Sequence, residues 1–310
     1  MPEKTTGVLL MAYGAASSLD EIEPYLKDIR GGRPTSQELV EEVKERYRLM
    51  GGRSPLLEIT NQQAQALEEA LNKGNGRRFR VYVGMRHWHP YIRETVAAIK
   101  NDGIRRLVGL CLTPYYSKMS VEAYFKKLTD AQDEVGAKFI LSKAESWNDH
   151  PLLIQAISEK VEKALSRFPG TVRKKIPILF TAHSLPARIV QEKDPYPQEL
   201  LETVEAVVKK VGHDLFRFAY QSQGRTPEPW LGPDAGAAIN KLHDEGHRYL
   251  LMAPIGFISD HMETLYDVDI LYRKQATAKG MRFERVESLN ASPVFISAMA
   301  DVVLKNLPAS

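Results

Sequence analysis

The sequence predicts an α/β protein with two doubly wound domains, each a parallel sheet flanked by helices. Its 310 residues exceed the usual size of a single hydrophobic core, which favours two domains. Short apolar runs alternate with longer amphipathic stretches, the pattern that βαβ units produce. This alternation restarts near Phe168-Pro169-Gly170. We therefore expect one domain over residues 1–165 and a second over residues 166–310.

Hydrophobic patterning predicts the elements of the first half. Residues 8–12 are continuously apolar, as a strand buried on both faces requires, and Tyr13-Gly14 ends the run. Thr60 precedes an amphipathic stretch, so its hydroxyl is expected to cap a helix that begins there. In chain order the pattern predicts a strand over 8–12, helices over 19–29, 37–49 and 60–71, a strand over 80–85, a helix over 90–100, a strand over 107–112, a helix over 121–135 and a strand over 138–141.

The second half repeats this order of elements without repeating the sequence. Pro177 fits only near the beginning of its strand, because proline cannot donate to a sheet ladder. The closing helix is free to pack back on the first domain. In chain order the pattern predicts a helix over 152–165, a strand over 176–182, a helix over 199–211, a strand over 217–221, a helix over 235–243, a strand over 249–253, a helix over 260–271, a strand over 283–286 and a helix over 293–307.

Charge and cysteine content exclude several classes of function. Lys and Arg number 42 against 39 Asp and Glu, a net charge of +3, whereas nucleic-acid binders carry a far more basic surface. No apolar run approaches the roughly 20 residues that cross a bilayer. Cys111 is the only cysteine, which rules out an internal disulfide, a four-cysteine zinc site and an iron–sulfur cluster. We expect a cytoplasmic protein whose metal chemistry uses nitrogen and oxygen ligands.

Polar and aromatic side chains follow the predicted strands. In open parallel sheets, ligands bind beyond the carboxyl ends of the strands, so these side chains are the first candidates for a site. They are Tyr13 after the first strand, Arg86, His87 and His89 after the second, Tyr115 and Tyr116 after the third, His183 and Ser184 in the second half, Gln221 and Ser222 after the next strand, and Asp260, His261 and Glu263 after residues 249–253.

Two of these candidates carry chemistry that is useful at neutral pH. A neutral imidazole at His183 can ligate a metal or accept a proton, although a structural histidine at a strand end fits its position equally well. Asp260, Glu263 and Asp267 share one face if their segment is helical, by the i, i+3 and i+4 rule. Such a stripe either binds a cation or is an ordinary solvated acidic face.

Other candidates keep an ordinary interpretation beside the functional one. Tyr13 faces a ligand or caps the sheet as a core tyrosine. His87 and His89 share a strand face and bind metal, or they are loop histidines. A set of arginines binds carboxylates in bidentate fashion or forms a solvated basic surface; it comprises Arg30, Arg33, Arg46 and Arg53. No G-x-G-x-x-G turn, phosphate loop or G-x-S-x-G elbow points to a nucleotide or an acyl group.

Several long motifs resemble those of the ferrochelatase family, and they follow one another in the family's order over essentially the whole chain. The resemblance is closest to the short Bacillus-type enzymes that metallate coproporphyrin III. The motifs are Leu9-Leu-Met-Ala-Tyr13-Gly14, Arg46-Tyr47, Gly51-Gly-Arg-Ser54-Pro-Leu56, Ala182-His183-Ser184-Leu185-Pro186, Tyr220-Gln-Ser-Gln-Gly-Arg-Thr-Pro-Glu-Pro-Trp-Leu-Gly-Pro233 and Gly256-Phe-Ile-Ser-Asp-His-Met-Glu-Thr-Leu-Tyr-Asp267.

The resemblance implies two Rossmann-like domains with a porphyrin cleft between them. It implies insertion of Fe(II) into the macrocycle with release of two protons, no cofactor, and Fe(II) as a substrate. His183 and Glu263 match the inner pair at the metal site, and Tyr13 matches the axial ligand of the product iron. Asp267 and His87 match an outer metal path. The positions that match contacts to the tetrapyrrole are Tyr13, Arg30, Arg46, Tyr47, Ser54 and Tyr124.

Within this resemblance the chemistry is plausible on general grounds. His183, neutral near pH 7, would take a proton from a pyrrole nitrogen, while Glu263 would orient the imidazole or pass the proton outward. The chain departs from the family at Leu271, where the acidic stripe often continues to another glutamate, and at Arg86, where a lysine is familiar.

Coproporphyrin III is the expected substrate, because this chain has neither a membrane-associating segment nor the cysteine-rich extension found in many enzymes that use protoporphyrin IX. The alternatives are a protoporphyrin IX ferrochelatase, a cobaltochelatase that acts on a corrin precursor, and a non-catalytic haem carrier. The expected partners are the porphyrin and ferrous ion, with room for a transient contact with a haem-pathway enzyme or an iron donor, and without nucleic acid or a membrane span.

Overall fold

A computed structural model describes residues 5–74, 76 and 78–308, and the chain divides into two compact units. The first unit runs to Trp147 and resumes at Asn290; the second is Asn148–Leu289. In chain order the described elements of the first unit are β1 (Thr6–Ala12), α1 (Ile22–Ile29), α2 (Gln37–Leu49), α3 (Leu56–Asn72), β2 (Phe79–Met85), α4 (Ile92–Asn101), β3 (Arg106–Cys111), α5 (Val121–Glu134) and β4 (Ile140–Ala144).

The second unit begins with a helix and contains one segment of π-helix. Its described elements are α6 (Pro151–Leu165), β5 (Ile178–His183), α7 (Arg188–Gln191), α8 (Tyr196–Val211), β6 (Phe216–Gln221), α9 (Ala235–Asp244), β7 (Tyr249–Ala253), the π-helix (Glu263–Tyr272), α10 (Arg273–Ala278) and β8 (Arg282–Arg285), with a 3₁₀ turn at Arg173–Lys175 before β5. The chain then returns to the first unit as α11 (Pro293–Lys305).

Each unit contains a four-stranded parallel sheet among its described residues, in the order β2-β1-β3-β4 for the first and β6-β5-β7-β8 for the second. In the first sheet, Val8 of β1 lies opposite Val81 on one side and Val108 on the other. β1 is buried along its whole length, as its continuous apolar run requires. The expected fold class, two parallel sheets with helices on their faces, is confirmed.

Helices cover the sheets through alternate strand residues. Leu9 and Met11 of β1 join a core cluster with α4 and α5, so the intervening residues face the opposite side, where α3 packs on β1 and β2. In the second unit, Leu179 and Met252 pack with α9, the π-helix and α10. The carboxyl ends of the strands thereby stay open for side chains that follow them.

The boundary between the units lies at 147/148 instead of the expected 165/166. α6 belongs to the second unit because it packs against α8 and β7. α11 belongs to the first unit, where it packs on α3. There Gln63 Nε2 donates to the Asn290 carbonyl at 2.9 Å, and Phe295 stacks on Trp147 at a centroid distance of 5.9 Å.

Thr60 does not begin a helix, as the sequence suggested. α3 begins one turn earlier, at Leu56, whose N–H donates to Ser54 Oγ at 3.3 Å. Thr60 Oγ1 instead donates back to the Leu56 carbonyl at 2.7 Å, the bond that a hydroxyl inside a helix commonly makes. Ser54, and not Thr60, therefore supplies the side-chain acceptor for the first amide of α3. Among the described residues, no helix combines the length and the apolar composition needed to cross a bilayer.

A surface carboxylate in the second unit provides a test of the fold's electrostatics. Glu287 accepts from Lys160 Nζ at 3.1 Å and from Lys163 Nζ at 3.0 Å, and it also pairs with Arg167. Chiefly through Lys163 and Lys160, these cations hold the pKa of Glu287 at about 2. Because the side chain is 37% exposed, solvent screens the network and limits its contribution to about 1 kcal/mol.

We expect Glu287→Gln to lower the free energy of unfolding by about 1 kcal/mol at pH 7. The carboxylate's contribution is present above the pKa of an unfolded glutamate, about 4.5, and is lost as pH falls towards 2, because the folded-state pKa is depressed. Urea unfolding of both proteins between pH 7 and pH 2.5 measures this difference. A difference that does not shrink in acid would contradict the assignment.

Candidate active site

His183 lies at the carboxyl end of β5, a central strand of the second sheet. Its Nδ1 makes a hydrogen bond with the Ser184 carbonyl. A carbonyl only accepts, so Nδ1 carries a proton and donates. The His183 carbonyl accepts from the Tyr196 hydroxyl at 2.9 Å, which holds the strand end in place. The remaining ring nitrogen, Nε2, is therefore the one available for chemistry.

Glu263 meets that nitrogen. It is the first residue of the π-helix, and its Oε1 lies 3.4 Å from His183 Nε2. Gln221, at the end of the adjacent strand β6, donates from Nε2 to the Glu263 carbonyl at 3.0 Å. Gln221 is itself held by the Thr181 hydroxyl at 2.7 Å. The two side chains remain partly accessible, with 33% of His183 and 23% of Glu263 exposed.

A second imidazole shares the same carboxylate. His261 Nδ1 donates to the Ser259 carbonyl at 3.0 Å, which leaves its Nε2 facing Glu263 Oε2 at 3.6 Å. Glu263 thus has one histidine on each oxygen, and both histidines have the same tautomer-setting bond to a backbone carbonyl. In the sequence, only the position of His261 two residues before Glu263 signals this contact.

The pair changes the charge state expected for His183. Burial lowers the pKa of an imidazole, but the charge and hydrogen bond of Glu263, with the Ser184 carbonyl, raise the pKa of His183 above its ordinary value. Burial raises the pKa of Glu263, but His183 and His261 hold it well below its usual range. Compared with an isolated imidazole, the pair therefore shifts His183 towards the imidazolium form beside the Glu263 carboxylate.

The three carboxylates expected on one helical stripe have separate partners. Asp260 precedes the π-helix and accepts from Arg285 Nη1 at 3.0 Å and from the Ser288 hydroxyl at 2.8 Å. Asp267 accepts from the Ser222 hydroxyl at 2.5 Å. With Glu263 facing the imidazoles, the stripe is neither a solvated acidic face nor one shared cation site. The segment is π-helical, with i→i+5 bonding, so α-helical spacing does not describe it.

In the first unit, Tyr13 follows β1 and is 45% exposed, with its ring 4.7 Å from that of His87. The turn after it requires glycine: Gly14 has φ +95°, and a Cβ there would lie 2.8 Å from the Trp88 nitrogen. His87 Nδ1 lies 2.7 Å from Asp28 Oδ1, and burial lowers the pKa of His87. These contacts leave the Tyr13 hydroxyphenyl ring at the surface of its unit.

The alternative of His87 and His89 sharing a strand face as metal ligands is wrong. β2 ends at Met85, and both histidines lie in the loop that follows. His89 Nδ1 faces Glu94 at 3.0 Å, whereas His87 faces Asp28. Within the described ranges, no group of three or more histidine, cysteine or acidic side chains is arranged as a ready-made metal site.

The residues expected to contact a tetrapyrrole differ in accessibility. Arg30 caps the end of α1 and is exposed. Arg46, on α2, is partly exposed, with its guanidinium 2.6 Å from Glu42 Oε1. Ser54, Tyr47 and Tyr124 are buried. Ser54 accepts from the Leu56 amide, and burial raises the pKa of Tyr47 to about 12. Tyr124 lies in the core, with the Arg86 guanidinium 5.5 Å from the centre of the tyrosine ring. Leu271 is exposed on the π-helix.

Comparisons with known proteins find relatives that match almost the whole chain. A family model described as Ferrochelatase matches residues 5–307. A protein named "Ferrochelatase" from Herpetosiphon aurantiacus is 41% identical over 298 residues, which cover 96% of this chain and 98% of that protein. A protein named "Coproporphyrin III ferrochelatase" from Geobacillus kaustophilus is 40% identical over 307 residues, which cover 98% of this chain and 97% of that protein.

Solved structures share the fold at low sequence identity. The cobalt complex of the sirohydrochlorin chelatase SirB from Bacillus subtilis subspecies spizizenii has a TM-score of 0.59 at 8% identity, covering 97% of this chain and 95% of that chain. CbiX, the terminal enzyme of sirohaem biosynthesis in denitrifying bacteria, has a TM-score of 0.54 at 10% identity, covering 96% of this chain and 98% of that chain. At such identities the likeness shows the fold alone.

Proposed function

The chain belongs to the ferrochelatase family, and from this premise we propose that it inserts ferrous iron into coproporphyrin III. Members of the family are metal-chelating enzymes of haem biosynthesis. The observation that carries the proposal for this chain is the pair at the end of β5, where His183 Nε2 lies 3.4 Å from Glu263 Oε1. Fe(II) is a substrate of the reaction, and no cofactor takes part.

The reaction exchanges one divalent ion for two protons. Two pyrrole N–H bonds break, four nitrogen–iron bonds form, and the iron stays ferrous. A base must face the pyrrole protons, and a ligand must receive the ion as it leaves water. Nε2 of His183 has one lone pair, which serves as the base for a pyrrole proton or as a ligand of the ion at any one moment, and the Glu263 carboxylate 3.4 Å away supplies the other function. The bond from Nδ1 to the Ser184 carbonyl fixes the ring and its tautomer. Imidazole and carboxylate are suitable ligands for Fe(II).

Glu263 determines how readily His183 gives up its proton. A resting imidazolium cannot accept a pyrrole proton, so the proton on Nε2 must leave first. The arriving ferrous ion helps, because a cation close to the pair disfavours the imidazolium in favour of the neutral ring. A proton released at Nε2 has the Glu263 carboxylate 3.4 Å away and His261 on the opposite oxygen. The three side chains thus form a short outward route for protons.

Coproporphyrin III is favoured by its four carboxylates. Relatives from Geobacillus carry that substrate in their names, whereas the relative from Herpetosiphon is named "Ferrochelatase" alone. Arg30 and Arg46 supply guanidinium groups on the first unit, and each charged hydrogen bond to a propionate contributes ~1.5–3 kcal/mol. Tyr47, Ser54 and Tyr124 are buried, so their proposed contacts to the tetrapyrrole would be packing contacts more than bonds to the propionates.

Arg46 offers a test of propionate binding. In the free protein its guanidinium pairs with Glu42 at 2.6 Å, and a propionate would share or replace that carboxylate. We expect Arg46→Ala to weaken binding of coproporphyrin III roughly tenfold and to leave binding of its tetramethyl ester nearly unchanged, as measured by quenching of porphyrin fluorescence. Arg48→Ala is the matched control, because Arg48 lies two residues further on α2 and pairs with Glu41 and Glu45.

Equal losses for the acid and the ester would show that Arg46 does not pair with a propionate. A loss in Arg48→Ala as large as that in Arg46→Ala would point to the general charge of α2 instead of one contact.

The test of the proposed function is optical and anaerobic. Purified protein is mixed with Fe(II) and either coproporphyrin III or protoporphyrin IX, and the four-band spectrum of the free base is followed. Catalytic collapse of the bands with coproporphyrin III, and slower collapse with protoporphyrin IX, is expected. Faster turnover of protoporphyrin IX would overturn the substrate assignment. Tight haem binding without any metal-dependent turnover would instead indicate a carrier.

A cobaltochelatase is the alternative function to be tested, because the fold shared with the sirohydrochlorin chelatase SirB does not by itself distinguish the two activities. That likeness extends to the fold but not to the sequence. Parallel assays with Co(II) and sirohydrochlorin distinguish the two: we expect Fe(II) with coproporphyrin III to be the faster pair. A transient contact with an iron donor or with the next enzyme of the pathway belongs to the same proposal.

A further inference from the structure

A buried arginine lies behind the π-helix. Arg285 is the last residue of β8, and only 12% of its side chain is exposed. Its Nε donates to Asp269 Oδ1 at 2.9 Å, and its Nη1 donates to Asp260 Oδ1 at 3.0 Å. Asp260 stands three residues before Glu263 and Asp269 stands six residues after it. One guanidinium therefore connects the two ends of the segment that carries Glu263.

The opposite charges of Arg285 and the two aspartates stabilise these contacts. Burial disfavours the charged guanidinium, but the two carboxylates more than offset it and raise the pKa of Arg285. The planar guanidinium presents its donors at fixed angles, so the two aspartates are held in a defined relation to each other. Asp269 also has Arg273, with Nη2 at 3.4 Å, whereas Asp260 is supported by Ser288, whose hydroxyl donates to it at 2.8 Å.

Contacts lead from Asp260 to the residues that face the reacting nitrogen. The Thr264 hydroxyl lies 3.2 Å from Asp260 Oδ1 and accepts from the His261 N–H at 3.0 Å. Thr264 is fully buried and directly follows Glu263. From the sheet side, Gln221 holds the Glu263 carbonyl. The turn from Asp260 to Thr264 is thus fastened on one side by β6 and on the other by β8.

A π-helical segment needs such fastening. Its i→i+5 bonding is rare and occurs mostly as short bulges at functional sites. If the segment relaxed to α-helical bonding, each side chain after the first turn would change direction. Glu263 is the first residue of the segment, so relaxation would move Asp269 relative to Asp260 and loosen the turn over residues 260–264. That turn places one Glu263 oxygen 3.4 Å from His183 and the other 3.6 Å from His261.

We propose that Arg285 is a positioning residue of this enzyme: by holding Asp260 and Asp269 together, it fixes the turn over residues 260–264 that aims Glu263 at the two imidazoles. Arg285 does not touch the reacting atoms and acts through Asp260 and the Thr264 hydroxyl. The inference rests on the roles proposed for His183 and Glu263.

The experiment uses Arg285→Lys, which keeps a positive charge beside the two aspartates but loses the rigid fork. We expect kcat for iron insertion into coproporphyrin III to fall about tenfold or more, because small misplacements of reacting groups are costly. Rates are normalised to the number of porphyrin-binding sites, which is titrated by fluorescence quenching. The Kd for the porphyrin is expected to stay within about twofold, since the proposal gives Arg285 no contact with the porphyrin. Arg282→Lys is the matched control, an exposed arginine of the same strand over the Phe168 ring, and its kcat is expected to be unchanged.

A role limited to stability would lower the number of binding sites and leave the normalised kcat intact; that result would overturn the proposal. Should Arg285→Lys yield too little folded protein, Asp269→Asn weakens the same clamp and leaves Asp260 paired. Its normalised kcat is expected to fall severalfold, and an unchanged value would likewise overturn the proposal. Absence of insertion by the wild-type enzyme would refute the proposed function itself, which separates the two failures.

Discussion

Replacing His183 by alanine is expected to abolish iron insertion while coproporphyrin III still binds. The imidazole supplies the Nε2 lone pair proposed as base or metal ligand, 3.4 Å from Glu263 Oε1. Loss of a positioned general base alone slows a reaction by about 10²–10⁴-fold, and loss of a metal ligand adds to this. Porphyrin binding depends on groups spread over a large ring, so its Kd should change little.

The measurement is steady-state kcat under anaerobic conditions, with porphyrin Kd from fluorescence quenching. His243→Ala is a suitable control, because His243 lies on α9 of the same unit and its Nδ1 faces the neighbouring Asp244 at 3.1 Å. Wild-type turnover in His183→Ala would remove His183 from its role. A lost affinity for porphyrin as great as the lost rate would make His183 a binding residue instead.

The second large effect is expected for Glu263→Gln. This substitution keeps the shape of the side chain and removes its charge, so the imidazolium of His183 loses the partner 3.4 Å away. Protons leaving Nε2 would then have no carboxylate beside them. We expect kcat to fall by about 10²-fold, with the KM for porphyrin nearly unchanged. An unchanged rate would mean that the carboxylate is structural.

The pH dependence of the rate provides a second test of the coupling between Glu263 and His183. His183 acts as a base only when neutral, and in the wild type its pKa is raised by Glu263. The rate should therefore fall on the acid side at a pH above ~6.5, the ordinary imidazole value. In Glu263→Gln, burial is opposed only by the weaker effects of the Ser184 carbonyl and the Asp267 charge, so the pKa of His183 falls and the acid limb moves to lower pH, although the maximal rate is smaller.

Glu245→Gln controls for removal of any glutamate charge beside a histidine. In the same unit, Glu245 lies 4.0 Å from His247 Nε2 and 3.8 Å from Arg217. Its rate and pH profile should match those of the wild type. If the acid limb stays in place in Glu263→Gln, another group controls the titration, and the coupling between Glu263 and His183 plays no part in catalysis.

Much of the site could be predicted because strand ends are readable in the sequence. The apolar run before His183 indicates a buried strand, and parallel strands bring their carboxyl ends to one edge. Glu263 follows the neighbouring strand β7 by ten residues, so its meeting with His183 was predictable in outline. The motifs that carry the family resemblance identified the same two residues, and the comparisons confirm the family.

The remainder depends on contacts between distant residues. The π-helical bonding of Glu263–Tyr272 is supported by Arg285, which lies on another element, and no local pattern signals it. The pKa of His183 depends on a carboxylate 80 residues away in the chain, so the isolated imidazole value could not predict the direction of its shift. Thr60 was misplaced as a cap because Ser54, six residues earlier, meets the first amide of α3.

A double-mutant cycle tests most directly whether His183 and Glu263 work as one unit. The rate constant for insertion of Fe(II) into bound coproporphyrin III is measured in single turnovers for the wild type, His183→Ala, Glu263→Gln and the double variant. Residues that act together give strongly non-additive effects. We predict that the double variant is no slower than His183→Ala. Losses that multiply, so that the double variant is slower by the product of the two single effects, would contradict the account.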